Sequence, residues 1–106
     1  MKAIKIDAIK KEFSFVELEE GNIVASILKH LDCEGFSQVE VNETNACIVT
    51  DIIDKGVHQG YNLTDYDLPF YGNGLISGVG PHGESIDTDM TIEQAKEIVN
   101  FVEITA

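Results

Sequence analysis

Side chains capable of chemistry are few in this chain, and their spacing matters more than their number. The histidines, His30, His58 and His82, form no His-x-x-x-His pair, and Cys33 and Cys47 form no Cys-x-x-Cys pair. The close ligand pairs of a zinc site are therefore missing, and no metal is expected. Ser77 stands in Leu-Ile-Ser-Gly-Val, without the Gly-x-Ser-x-Gly elbow that exposes a nucleophile. Cys47 lies in an apolar run that keeps a thiol protonated, and Cys33 has Asp32 and Glu34 beside it, which disfavour a thiolate. Gly72, Gly74, Gly78 and Gly80 do not space as Gly-x-Gly-x-x-Gly, so no dinucleotide cofactor is expected, nor any other. Asp87, Asp89 and Glu93 lack the glycine and the closing glutamate of a calcium loop. Their position at the start of a helix is accounted for by the helix dipole. No catalytic residue is assigned on these grounds.

Two groups of residues remain. His58 and His82 fall in loops, with Asp51, Asp54 or Glu84 near enough in sequence to orient an imidazole, which would suit a small-molecule binder or weak hydrolase with a histidine base. Tyr61, Tyr66, Phe70 and Tyr71 crowd together and are interleaved with Asp65 and Asp67. Tyrosine offers contact area at low entropy cost, so Tyr61, Tyr66, Tyr71, Asp65 and Asp67, with His58 and His82, are the candidate binding residues.

The elements that must position them follow from periodicity. Ile4 and Ile6 alternate with Lys5 and Asp7, and Phe13 to Glu19 alternates after a polar connection, which predicts an N-terminal hairpin. Asn22 is the expected cap of a helix over Ile23–Leu31, whose Ile23, Val24, Ile27, Leu28 and Leu31 share one face. Phe36 to Val41 is a half-buried strand. Ala46 to Ile53 is continuously apolar at its start, as a strand covered on both faces would be. Asp54 to Tyr66 reads as a polar surface loop. Leu68 to Glu84 holds five of the nine glycines and both prolines around the apolar Leu75, Ile76 and Val79. It predicts a buried strand over Leu75–Val79, entered through Gly72-Asn73-Gly74 and left through Gly80-Pro81-His82-Gly83. The alternation of Gly74, Ile76, Gly78 and Gly80 leaves a smooth face for a helix to lie on. Thr91 and Gln94 form a capping box ahead of a second helix bearing Ile92, Ala95, Ile98 and Val99, and Phe101 to Ile104 closes the chain. The expected fold is a single α+β domain over 1–106, a mainly antiparallel sheet of about five strands with two short helices packed on one face.

Charge narrows the function classes. Asp and Glu number 19 against 7 basic residues, all lysine, for a formal net charge of −12. Without arginine, the usual bidentate reader of phosphate, direct nucleic-acid binding is not expected, and the same charge repels anionic membranes. No apolar run reaches the length of a membrane span, and the start Met-Lys-Ala-Ile-Lys-Ile-Asp is not a signal peptide, which predicts a cytoplasmic protein.

Gly72-Asn-Gly-Leu-Ile-Ser-Gly with Gly83-Glu84 behind it, the Met-Lys-Ala-Ile-Lys-Ile-Asp start and the strand containing Val16-Glu-Leu carry a resemblance. Together they resemble an uncharacterised family of small acidic α+β proteins found in bacteriophages and mobile elements. The resemblance implies a phage or prophage accessory protein and supplies no catalytic residues. The expected function is therefore non-enzymatic binding of a protein partner, a host protein or a second copy in a homo-oligomer, through an acidic, tyrosine-rich surface. A DNA mimic is the sharper alternative, with Glu17, Glu19, Glu40, Asp51, Asp65 and Asp67 imitating phosphates that fall about every 1.7 Å along a duplex axis.

Overall fold

Alternating isoleucines and charged residues become what the pattern demands: Ile4 and Ile6 are fully buried on β1 (Lys2–Asp7), which pairs antiparallel with β2 (Glu12–Glu17). The computed structural model describes residues 1–33, 35–50 and 59–103. A short 3-10 turn at Glu20–Asn22 leads into α1 (Ile23–Leu31). Asn22 precedes that helix but makes no side-chain cap bond, so the expected cap is not formed. At the other end Asp32 is left-handed, and it and Cys33 send their N–H groups back to Lys29 and Leu28 carbonyls.

β3 (Phe36–Glu40) and β4 (Asn45–Thr50) form a second hairpin, and the glycine-rich strand β7 (Gly74–Val79) inserts between β4 and β1. Strand order is β2-β1-β7-β4-β3, with β8 (Ser85–Ile86) paired to the far end of β7 as a sixth member. Every one of these pairings is antiparallel. Ile4 faces Ile76 across one edge of β7, and Cys47 faces Ile76 across the other. The most apolar segment and the most glycine-rich one thus form the middle of the sheet, covered on both faces as a continuously apolar strand requires.

Three expectations need correction. The stretch expected to be a loop, Asp54 to Tyr66, contains β5 (Gln59–Leu63), while its earlier residues lie outside those described. β5 is the middle strand of a second, three-stranded antiparallel sheet with β6 (Phe70–Tyr71) and β9 (Val99–Glu103), so the expected single sheet of about five strands is instead one sheet of six and one of three among the described residues. Its pattern was obscured because Gln59, Gly60 and Asn62 are weak strand formers, whereas Tyr61 and Leu63 are buried on one face. The two helices also do not share a face. Ile27 and Leu31 of α1 pack with Ala3, Ile48 and Leu75 on one side of the large sheet. Ala95 of α2 (Ile92–Ile98) packs with Ile4, Ile6, Cys47, Ile76, Tyr61 and Leu63 on the other. Finally, the nearest neighbours of the alternating glycines are not helical: a Cβ on Gly74 would meet Tyr61 of β5, one on Gly78 the Asp87 carbonyl and Ile86, and one on Gly80 the Glu84 carboxylate, while Ile76 between them shares a cluster with Tyr61 and with Ala95 of α2.

The capping box of α2 is present, with Thr91 Oγ1 accepting from Gln94 N and Gln94 Oε1 from Thr91 N. No helix among the described residues is long and apolar enough to cross a membrane.

Candidate functional site

Tyr61 is not available to a partner. It is fully buried, and its ring sits over Gly74, where a Cβ would overlap the phenol oxygen and approach Cζ to 2.8 Å. The glycine is thus required by close approach of an aromatic ring, which explains a glycine at the first position of β7. The Tyr61 hydroxyl lies 3.5 Å from the Sγ of buried Cys47. Burial pushes the Cys47 thiol up to about 12 despite the tyrosine hydrogen bond, and burial first, then Cys47, raises Tyr61 too. Both groups stay protonated at neutral pH, as core residues and not as nucleophiles.

The other tyrosines lie between core and surface. Tyr66 is half-buried, stacks edge-on against Phe70 at 5.7 Å, and donates its hydroxyl to the Glu40 carbonyl at 2.7 Å. Phe70 in turn packs 5.7 Å from Tyr61, so the aromatic series runs from the core outward to Tyr66. Tyr71 is half-buried, with its carbonyl accepting from Thr50 Oγ1. Asp65 and Asp67 are exposed.

Tyr66 borders a depression lined by Glu40, Val41, Leu63, Thr64, Asp65 and Ile98. A neighbouring one shares Val41 and Ile98 with it and adds Asn42, Thr44, Asp89, Gln94 and Glu97. Four carboxylates, on Glu40, Asp65, Asp89 and Glu97, therefore border a pair of aliphatic side chains, and no lysine lines either depression. Lysines occur elsewhere: Lys11 and Lys96 line a separate groove with Glu12, Phe13, Ile92 and Phe101.

One wall of the acidic face is fixed by a polar network. Asn45 is buried, and its Nδ2 donates to Asp89 Oδ1 at 2.6 Å, with Asn42 Oδ1 and Thr44 Oγ1 each 3.2 Å away. Thr88 Oγ1 donates to Asn45 Oδ1 at 2.6 Å, and Thr44 Oγ1 reaches Asp89 Oδ2 at 3.1 Å. The Asn45 and Thr44 bonds hold the Asp89 carboxyl below the usual range, so it is charged at neutral pH. Glu93 sits in the first turn of α2, where the helix dipole favours it, while the two acids before the helix have partners of their own: Asp89 ties the β3–β4 hairpin down, and Asp87 Oδ1 accepts from Lys2 N at 2.8 Å.

The histidine reading gains no site. His82 is exposed in the β7–β8 turn and lines none of the depressions above, while His58, Asp51 and Asp54 lie outside the described residues. Among the described residues no three His, Cys, Asp or Glu side chains converge as a metal would require. Of the acids named for DNA mimicry, Glu17 lies on β2 and Glu40 on β3, the two end strands of the large sheet, and Asp51 lies outside the described residues. No family model, curated protein or solved structure matches the chain.

Asp65 and Tyr66 were legible in the sequence as binding candidates, and Glu40 as one of the acids of the DNA-mimic alternative; Val41, Asp89, Glu97 and Ile98 were not. These come from the β3–β4 hairpin, the segment before α2 and α2 itself, and the Asn45–Asp89, Tyr66–Glu40 and Thr64–Ile98 hydrogen bonds hold them beside Tyr66.

Proposed function

We propose that this protein is a small non-enzymatic binding protein of the cytoplasm that engages a basic segment of a protein partner through the face centred on Val41 and Ile98. The observation that carries the reading is the pair of depressions sharing those two residues, bordered by Glu40, Asp65, Asp89 and Glu97 and by no lysine. Aliphatic floor and carboxylate rim suit a lysine or arginine side chain, whose methylene stem lies on apolar surface while its head meets carboxylates. With a formal charge of −12, the whole chain also attracts such a partner from a distance. The resemblance to small acidic phage and mobile-element proteins makes a host protein the partner class we infer.

The experiment is affinity capture from bacterial lysate with wild type, Asp65→Lys/Glu97→Lys, and Lys11→Glu/Lys96→Glu as a control on the other groove. Loss of a captured protein with the first variant and its retention with the control is the expected result. Equal retention by both variants would rule out this face as the contact.

A further inference from the structure

Strand β2 lies at the end of the large sheet, and among the described strands only β1 pairs with it. Met1 and Leu18 exchange both backbone hydrogen bonds, Met1 N to Leu18 O at 2.9 Å and Leu18 N to Met1 O at 2.8 Å. Hydrogen-bonded pairs alternate along an antiparallel ladder, so Val16, Ser14 and Glu12 also turn their backbone groups towards β1. Phe13, Phe15 and Glu17 turn theirs outward. The strand is six residues long, contains no proline or lysine, and leaves the Phe15 side chain 46% exposed. An edge of this kind is a template for another strand.

From this edge we infer that β2 pairs antiparallel with β2 of a second copy of the chain, joining the two large sheets across a two-fold axis at Ser14. Outward-facing residues must meet outward-facing residues, which admits only alternate registers. The register that would set Glu12 against the partner's Glu17 is excluded on that ground. Centring on Ser14 sets Phe13 against the partner's Phe15, twice by symmetry, and brings Lys11, the left-handed turn residue just before β2, to the end of the ladder near the partner's Glu17. Aromatic and opposite-charge pairs are the favourable cross-strand contacts, and no like charges face each other. Glu17 accepts from the Met1 ammonium of its own chain at 3.2 Å, and its side chain is 79% exposed, so the partner's Lys11 would join an existing ion pair. Phe13 packs 5.2 Å from Phe101 in the groove that also holds Ile92 and Lys96, so the partner's Phe15 completes the cover of an apolar strip left open in one chain. The other end of the sheet is less suited to the same role, because the Tyr66 hydroxyl already occupies the Glu40 carbonyl on β3. The formal −12 on each copy opposes association, and salt relieves that opposition by shortening the Debye length from about 10 Å at 0.1 M to about 3 Å at 1 M.

Sedimentation equilibrium in high salt, on the whole chain, tests the proposal. Wild type is expected at twice the single-chain mass. Phe15→Pro removes, besides the ring that lies under Lys2, an outward N–H whose loss an edge strand tolerates, and Phe15→Lys places a charge on the edge; both are expected to sediment as monomers with native circular dichroism. Ser14→Cys reports the register, since facing residues at a non-hydrogen-bonded position lie about 4.5 Å apart between Cα atoms, within disulfide reach. A disulfide between the two introduced thiols, mapped by peptide mass spectrometry, is the expected product. A wild type that stays monomeric at every concentration overturns the inference, whether or not an unrelated extended peptide binds at β2. So does a dimer that survives Phe15→Lys and gives no disulfide at position 14.

Discussion

Replacing Gly74 with alanine adds one methyl group to a position where the Tyr61 phenol leaves no room for it. The new carbon would overlap Oη and stand 2.8 Å from Cζ and 3.3 Å from Cε1, against a ring that is fully buried. Tyr61 cannot retreat easily, because Phe70 packs against it and Cys47 Sγ lies 3.5 Å from its hydroxyl. Overpacking of this kind costs about 1–3 kcal/mol. The overlap with Oη places the cost in the upper half of that range, about 2–3 kcal/mol, and removing glycine from the unfolded chain returns at most about 1 kcal/mol, so the net effect is a loss of at least about 1–2 kcal/mol. For a domain near this size each kcal/mol moves the melting midpoint by about 4–8 °C, which puts the variant about 4–16 °C below wild type. Thermal and urea melts of wild type, Gly74→Ala and Gly74→Ala/Tyr61→Phe measure it. Deleting the hydroxyl removes the worst overlap but leaves the ring carbon, so the double variant recovers part of the loss. An unchanged or raised midpoint for Gly74→Ala would refute the claim that the glycine exists to admit Tyr61.

Ser77 is fully buried in β7, and its hydroxyl has no hydrogen-bond partner among the described residues, so Ser77→Ala is expected to be neutral or to raise stability by up to about 1 kcal/mol in urea melts. Asp89 has its folded carboxyl held below the unfolded value of 3.8, so its contribution is present above that pH and disappears as pH falls through the folded value. Acid titrations followed by circular dichroism should show a smaller drop in stability below about pH 4 for Asp89→Asn than for wild type. Cys47 is shifted the other way, to about 12 from 9.0, and Tyr61 shares that direction, so their contribution is intact below pH 9.0 and is lost as pH rises towards the folded values. Iodoacetamide at neutral pH should therefore label Cys33 of the folded protein before Cys47, and equal labelling would contradict the buried thiol.

Local signals carried most elements and few of the contacts between them. The hairpin of β1 and β2, the extent of α1, the Thr91–Gln94 capping box and the buried β7 were all readable, because each depends on periodicity or on residues three apart. The second sheet was not, since β5 carries its apolar signal on only Tyr61 and Leu63 and is recognised by pairing with β9, some forty residues later in the chain. That single omission misplaced Tyr61: a tyrosine among Asn, Thr and Asp reads as surface, whereas the glycine that receives its ring is thirteen residues further on. The side of the sheet taken by each helix was equally illegible. It depends on which parity of β7 faces which layer, and leucine 75 and isoleucine 76 are both apolar. Of the candidate site, Asp65 and Tyr66 could be named from composition, but Glu40, Asp89 and Glu97 reach the same rim only through long-range contacts such as Tyr66–Glu40 and Asn45–Asp89.

The most direct measurement of the central claim is a titration of the isotopically labelled protein with a lysine-rich peptide, followed by amide chemical shifts. The acidic face predicts saturable shifts concentrated at Val41, Thr64, Asp65, Tyr66, Glu97 and Ile98, abolished by Asp65→Lys/Glu97→Lys. Shifts spread evenly over all exposed carboxylates, or centred on the β2 edge and α1, would contradict it.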